Sequence, residues 1–403
     1  MSVFTSRPAM RWLVPAASAA VLVGGGVAVG ALAASADPVL PPRSAEQLLV
    51  DLQTAEVDGM SGTVVHRADL GLPAALNLAG QIGAGNGLGS LINGTQTLRV
   101  WYAGPDQARL AMVRTLGETD VIRNGQDVWI WSSQQQQATH FELPAEGDHA
   151  DAAGERAGTD PASELPVTPQ AAADEVLEAI DPSTEVSVGR SAELAGRTAY
   201  ELVLTPRDED SLVEEIRIAI DSVEYVPLRF AVYPVGADRA AIETAFTQVS
   251  FDTPDEEQFV FNPPPGTEVI EAGEDDVATP GAGSRGPDQL PGDAETDGML
   301  EELARGWADS EDAVRTVGTG WGTVLVVTPP AEAATAAEEH AGESAEGAQV
   351  MQMLGDLPAV DGPWGSGRLF SSSLFTALIA DDGRLYAGAV TPERLYEVAT
   401  ETR

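Results

Sequence analysis

The sequence predicts an α+β protein in which one large curved antiparallel sheet, covered by helices, is followed by a small α+β domain. Three observations carry this prediction. Short β-rich runs recur between Ser61 and Phe251, separated by Gly, Pro, Asp and Asn. Two stretches with apolar residues at helical spacing accompany those runs. An acidic stretch rich in Pro and Gly at 271–297 reads as a linker, and a smaller unit over 298–403 follows it.

The first element is an export segment. Residues 12–36 carry no charge, two arginines precede them, and an A-x-A pattern suited to signal peptidase ends them. The apolar run is longer than a usual signal-peptide core of about 7 to 15 residues, and it is long enough for one membrane span of roughly 20 residues. Residues 1–36 are therefore predicted to be either a cleaved signal peptide or a retained transmembrane anchor. Both alternatives place the rest of the chain outside the cytoplasm.

The large sheet is predicted to begin behind a short helix and to contain a second one. Ser44 and Gln47 have the spacing of a capping box at the start of the first helix. Six β-rich runs follow, and Asn124-Gly125 predicts a tight hairpin turn between two of them. After an acidic polar stretch, a second helix is predicted over 168–180, with Pro at its first turn. Five further β-rich runs complete this unit, so about ten or eleven strands are expected.

The unit over 298–403 has its own mixture of elements. Residues 299–308 indicate a helix, residues 320–329 a buried strand, and the acidic stretch after them a long loop that ends in a helix. The pair Asp382-Gly383 predicts a hairpin turn, and Pro392 starts a final helix.

Composition excludes several classes of function. With 63 acidic against 22 basic residues and a net charge of -41, the chain is unsuited to binding nucleic acid through phosphates. Every basic residue is Arg, so a P-loop lysine and a Schiff-base lysine are absent. Without Cys there is no disulfide, thiolate metal site or cysteine nucleophile. Arg used without Lys also indicates a GC-rich genome and an actinobacterial source.

No pattern in the sequence points to catalysis or to a metal. The 4 histidines are scattered at spacings that match no ligand motif, and the serines at 371–373 lack a nucleophile elbow. We therefore expect no catalytic residue, no metal and no cofactor, and a protein that is not an enzyme.

Three strings carry a resemblance to a known family: "DVIRNGQDVWIWS", "EEIRIAIDSVEYVPLRFAVYP" and "FTQVSFDTPDEEQFVFNPPPGTEVIE". Over residues 44–270 the chain resembles the LolA/RseB family of periplasmic lipoprotein-binding proteins. The resemblance implies a half-barrel sheet whose open side is plugged by helices, an apolar cavity that accepts acyl chains, and no catalytic residues. A small domain behind a linker is similar to the plan of RseB-like members, which are lipid-responsive regulators of an anti-sigma factor.

An uncharged insertion runs from Leu70 to Leu98. Its glycines at 83–89 match neither phosphate-loop fingerprint, and a strand rather than a helix follows them. Two interpretations remain: a connector packed loosely on the core, or a lid that covers the mouth of the half-barrel and touches a membrane. In the second interpretation the apolar contacts come from Leu72, Leu76, Ile82, Leu88 and Ile92.

Aromatic and apolar strand residues are the other candidates for ligand binding. Trp129 and Trp131 share one face of a strand by the period of two, and they either pack in the core or form the walls of an acyl-chain cavity. The sequence does not indicate which face of the sheet is concave. The predicted cavity residues are Leu98, Val100, Trp101, Trp129, Trp131 and Phe230.

These observations predict an extracytoplasmic protein that binds a lipid or a lipoprotein acyl chain in a cavity between sheet and helices, in contact with a membrane. A first alternative is a regulatory sensor whose C-terminal domain contacts a membrane-protein partner. A second alternative is a cell-envelope interaction module that holds no ligand.

Overall fold

The computed structural model describes residues 40–72, 93–114, 117–143, 183–271, 314–329, 352 and 354–402. The export segment, the predicted helices over 168–180 and 299–308, and the acidic loop before residue 352 lie outside the described residues. So does the predicted linker over 271–297 except for Glu271, which belongs instead to the last strand of the larger unit. No described helix is long and apolar enough to cross a membrane.

The described residues of the larger unit form one sheet of 13 strands. The strands are β1 Met60–Asp69, β2 Asn93–Tyr102, β3 Gln107–Arg114, β4 Gly117–Asn124, β5 Asp127–Ser132, β6 Gln137–Glu142, β7 Thr184–Val188, β8 Ala192–Leu194, β9 Arg197–Pro206, β10 Val213–Asp221, β11 Pro227–Pro234, β12 Ile242–Ser250 and β13 Glu268–Glu271.

The strand order confirms the predicted large half-barrel. It runs β13-β6-β5-β4-β3-β2-β1-β12-β11-β10-β9-β7, with β8 also paired to β9, and the two end strands do not meet. The strands pair antiparallel except β13, which runs parallel to β6. The strand count exceeds the expected ten or eleven because short strands such as β8 and β13 have too few residues to show alternation. Gly125 adopts φ +66° in the predicted turn between β4 and β5.

The first predicted helix is also present, as α1 over Ala45–Thr54. Its capping box is formed in both directions: the Gln47 amide donates to the Ser44 hydroxyl, and the Ser44 amide donates to the Gln47 side chain. Leu48 and Leu52 are buried at one helical face. They pack on β9, β10 and β11, so α1 covers that part of the sheet.

The sheet has two faces of different character. Paired residues on neighbouring strands point to the same side of a sheet. Leu202, Ile218 and Phe230 form one cross-strand row beneath α1, on what we call the helix face. Trp101 and Trp129 belong to a row on the opposite side, which we call the tryptophan face.

The smaller unit is a second sheet covered by a helix, as predicted. Its strands occur in the order β14-β15-β19-β18-β17-β16, and the bounds are β14 Val314–Val317, β15 Val324–Val327, β16 Ala359–Gly362, β17 Gly365–Ser371, β18 Thr376–Ala380 and β19 Leu385–Gly388. Helix α2, Pro392–Glu401, begins with the predicted proline and buries Leu395 and Val398 against Leu378 and Tyr386. Gly383 adopts φ +88° in the predicted turn.

The second sheet contacts the first at the end where β9 and β10 are connected. The Leu212 amide donates to the Ala389 carbonyl at 2.9 Å, and the Trp321 indole donates to the Thr184 hydroxyl at 2.8 Å. Leu374 is 8 % exposed and belongs to the same buried cluster as Leu48 of α1. The small unit therefore contributes a side chain to the core under α1.

A buried carboxylate organises the β10–β11 turn and links stability to pH. Asp221 pairs with Arg197 and accepts hydrogen bonds from the amides of Val223 and Glu224 at 2.9 and 2.8 Å. Burial alone would raise the pKa of Asp221, but these bonds outweigh burial and hold the pKa below its ordinary value of 3.8. Because the folded pKa is depressed, the contribution to stability is present above pH 3.8 and is lost as the pH falls through the folded pKa.

We expect Asp221→Asn to lower the free energy of unfolding at pH 7 by about 2 kcal/mol, since it removes a charged partner from buried groups. Denaturant unfolding at pH 7 and pH 3 measures this effect. The difference in unfolding free energy between the variant and the wild type should be smaller at pH 3, because the wild type loses the contribution of the Asp221 charge at low pH. An equal loss of unfolding free energy at pH 7 and at pH 3 would contradict the assignment of the effect to the carboxylate charge.

Candidate ligand-binding face

The helix face carries an apolar row that α1 leaves partly open. Cross-strand pairing aligns Val100 of β2, Leu110 of β3, Val121 of β4 and Ile130 of β5. Burial decreases along this row: Val100 is 1 % exposed, Leu110 and Val121 are half-buried, and Ile130 is 40 % exposed. A continuous apolar row that becomes progressively more exposed is a candidate surface for an apolar partner.

The rows on either side of this apolar row are apolar over β1–β3 and of mixed polarity over β4 and β5. Val64 and Leu98 are fully buried, and Met112, the next residue in their row, is half-buried. On the other side, Val128 is buried and pairs with the half-buried Phe141. Arg123, which pairs with Asp106, precedes Val128 in its row, and Thr119 follows Met112. The surface therefore offers aliphatic, thioether and aromatic groups to an apolar ligand, with polar groups beside its open end.

Three of the predicted cavity residues lie on the helix face. Leu98 and Val100 border the open part, whereas Phe230 lies in the core beneath α1 and is 6 % exposed. Leu98 and Val100 therefore lie beside or in the apolar row, whereas Phe230 packs under α1. Leu72 is half-buried and packs against the same core, and the insertion residues Leu76, Ile82, Leu88 and Ile92 lie outside the described residues.

The three predicted tryptophans lie on the opposite face of the sheet. Consecutive strand residues point to opposite sides, so Val100 and Trp101 cannot face the same cavity. Trp129 stacks on His140 with ring centroids 4.2 Å apart, and it lies 5.1 Å from the ring of Phe261. Trp131 lies 6.3 Å from Phe261. Trp129 and Trp131 therefore pack against the segment that follows β12, and none of the three tryptophans shares a cavity with Leu98 and Val100.

That covering segment, residues 251–261, crosses the tryptophan face. It contains a short 3-10 helix, Glu256–Phe259, which contacts β3 and β4. Phe259 is 1 % exposed. The F-x-F element that carries the family resemblance thus closes the tryptophan face and does not line the apolar row.

Polar groups are buried under the covering segment. Asp120 is 2 % exposed and pairs with Arg109 at 2.5 Å, and Arg109 also donates to the Gln258 carbonyl at 3.3 Å. The Arg109 guanidinium lies 5.3 Å from the Trp101 ring. Burial, together with the nearby Asp120, raises the pKa of the Glu118 carboxyl. This network ties the covering segment to the sheet by charge as well as by packing.

Sequence reasoning missed the residues that continue the apolar row. Leu110, Val121 and Ile130 were not among the predicted cavity residues, although the signal was present. The predicted hairpin turn at Asn124-Gly125 sets the β4–β5 pairing, and alternation from Val121 then assigns Ile130 to the same face. Among the described residues, no group of three His, Asp or Glu side chains could hold a metal ion.

No protein-family model and no curated protein sequence matches the chain. Several solved structures are similar to this chain. The MucA/MucB complex of Pseudomonas aeruginosa matches at 14 % identity and a TM-score of 0.38. That match covers 88 % of this chain and 96 % of the other chain. A LolA superfamily protein of Nitrosomonas europaea matches at 10 % identity and a TM-score of 0.21, over 55 % of this chain and 99 % of that chain. An uncharacterized conserved protein of Thermus thermophilus matches at 12 % identity and a TM-score of 0.30, over 57 % and 99 %.

The half-barrel is established by the strand order of this chain. At identities of 10 to 14 % and TM-scores of 0.21 to 0.38 the solved structures transfer no ligand, partner or location to this chain. They give no support to the actinobacterial source that the composition indicates.

Proposed function

We propose that this protein is not an enzyme but binds a lipid, or the acyl chain of a lipoprotein, on the helix face of strands β2–β5, outside the cytoplasm. One observation carries the proposal. The apolar row from Val100 through Leu110 and Val121 ends in Ile130, which is 40 % exposed beside a large buried core. Exposing such a row to water is unfavourable, and an acyl chain would cover it.

The dimensions and chemistry of the row suit an acyl chain. Gly62 of β1 extends the row to a fifth strand, and four strand spacings of about 4.8 Å make it roughly 19 Å long. No charged side chain belongs to this row. An extended hydrocarbon chain can therefore lie along it without removing a charge from water, and each Å² of apolar surface it buries contributes about 25 cal/mol.

We expect Ile130→Asp to abolish co-purification of lipid, because a carboxylate at the open end of the row would lose its hydration when an acyl chain binds. Native mass spectrometry with lipid extraction, on the full chain exported from a bacterial host, measures occupancy. The matched control is Val223→Asp, which introduces the same charge at a valine that is 66 % exposed in the β10–β11 turn, away from the row.

Two results would contradict this proposal. One is equal lipid occupancy in Ile130→Asp and the wild type. The other is a wild-type mass that stays free of ligand after incubation with phospholipids and lipopeptides, which would favour an interaction module without a ligand.

A second candidate function is a sensor that reports occupancy through the small unit. The observation that favours it is Leu374, which lies in the same buried cluster as Leu48 of α1 and Phe230 beneath it. Hydrogen exchange of the same full chain, measured with and without bound lipid, separates the two functions. A change in protection at residues 372–376 favours the sensor, and unchanged protection there favours a carrier.

A further inference from the structure

His140 bridges two acidic side chains from different strands. Its Nδ1 lies 2.7 Å from the Glu271 carboxylate of β13, and its Nε2 lies 3.0 Å from the Asp127 carboxylate of β5. The ring also stacks on Trp129, which fixes its plane. A carboxylate only accepts hydrogen bonds, so the ring can satisfy both contacts only as imidazolium, which has two N–H donors.

The strand that His140 holds has little other support. β13 has four residues, Glu268–Glu271, and pairs only with β6 at the edge of the sheet. Val269 is 43 % exposed, and Glu268 and Glu271 are exposed as well. Short edge strands with few buried contacts open at low cost in free energy. A single side-chain contact can therefore decide how long β13 stays paired.

We propose that His140 is a pH-sensitive clip that holds β13 on the edge of the half-barrel while the imidazole is protonated and releases it as the imidazole loses its proton. β13 is the last described element before the chain leaves for the small unit. Release would free the start of that connection from the sheet. His140 lies on the tryptophan face and β13 at the edge of the sheet, so release of β13 does not depend on lipid binding at the helix face.

The charges around the ring favour the protonated form. The charged groups that face His140 from β5 and β13 are Asp127 and Glu271, and Glu142 lies on the same face of β6 itself. The covering segment presents the uncharged Phe261 on this side. Each of the three charged groups is acidic, so loss of the imidazolium charge leaves carboxylates facing one another.

The pKa of His140 follows from this arrangement. Burial lowers the pKa of the imidazole, but the hydrogen bonds to Glu271 and Asp127 outweigh burial and raise the pKa above its ordinary value of 6.5. Because the folded pKa is raised, the clip contributes fully below pH 6.5 and is lost as the pH rises through the folded pKa.

Hydrogen exchange of the full chain in detergent, between pH 5.5 and 8.5 and corrected for intrinsic exchange rates, tests the proposal. We expect protection of residues 268–271 to fall by up to about fivefold across this range, the effect of losing one ion pair. Protection of β10 should stay constant. In His140→Gln, protection of β13 should be low at every pH, because Gln cannot carry the charge. Glu271→Gln, at an exposed position, should remove most of the pH dependence without disturbing the sheet.

Three outcomes would overturn the proposal. The first is a flat pH profile for β13 in the wild type. The second is an equal pH profile in the wild type and Glu271→Gln, which stays informative if His140→Gln fails to fold. The third is protection that rises with pH.

Discussion

A Phe259→Ala variant is expected to lose about 3 to 5 kcal/mol of unfolding free energy, the usual cost of removing a buried phenylalanine ring. Phe259 is 1 % exposed and joins the covering segment to the tryptophan face. The lost ring leaves a cavity between the 3-10 helix and strands β3 and β4, which the rigid sheet cannot close.

Denaturant unfolding measures this loss, and tryptophan fluorescence shows where it acts. Uncovering Trp129 and Trp131, which pack on Phe261, should shift the emission to longer wavelength. The matched control is Val260→Ala, at the next residue, which is 51 % exposed and should change stability by less than about 0.5 kcal/mol. Equal effects of the two substitutions would show that the segment does not cover this face.

An Asp120→Ala variant is expected to lose about 3 kcal/mol of unfolding free energy. Removing one partner of a buried ion pair is costly because the other partner, here Arg109, stays buried without its direct counter-charge. Asp120 is 2 % exposed, and its partner Arg109 lies under the covering segment with a hydrogen bond to Gln258. Without the Asp120 carboxylate, the Arg109 guanidinium loses its direct partner and retains only the electrostatic attraction of Glu118. If the guanidinium moves out to solvent, its hydrogen bond to the Gln258 carbonyl is lost.

An ion pair with an exposed carboxylate, on the opposite face of β4, is the control for Asp120→Ala. Asp106 is 73 % exposed and lies 3.5 Å from Arg123, so Asp106→Ala should cost less than about 1 kcal/mol. Replacing both partners by apolar residues, Arg109→Met with Asp120→Leu, should restore most of the stability lost by Asp120→Ala. A double variant as unstable as Asp120→Ala would mean that the loss comes from something other than the unpaired charge.

Local signals predicted much of the fold. The capping box at Ser44, the proline at 392 and the turns at Asn124-Gly125 and Asp382-Gly383 each act within a few residues of the chain, and each is present in the structure. Alternation of apolar residues likewise predicted most strands of the large sheet. These features depend on backbone dihedral angles and nearby hydrogen bonds, which the adjacent residues set.

The candidate site was harder to predict because its parts are far apart in the chain. Alternation assigns Val100 and Trp101 to opposite faces but does not say what covers each face. Phe261 returns to pack on Trp129 from more than a hundred residues later, and Leu374 reaches the core beside Leu48 from the second sheet. The parallel pairing of β13 with β6 has no local signature in four residues.

The sequence by itself determined the fold class, the positions of the main turns and caps, and the acidic composition that is unsuited to nucleic acid. Only the tertiary structure decided which side of the sheet each aromatic residue faces, which apolar row remains open at Ile130, and that His140 meets two carboxylates. The physical reason is one of distance along the chain. Turns, caps and strand periodicity follow from neighbouring residues, whereas covering a face or pairing a charge depends on segments that meet only when the whole sheet has formed.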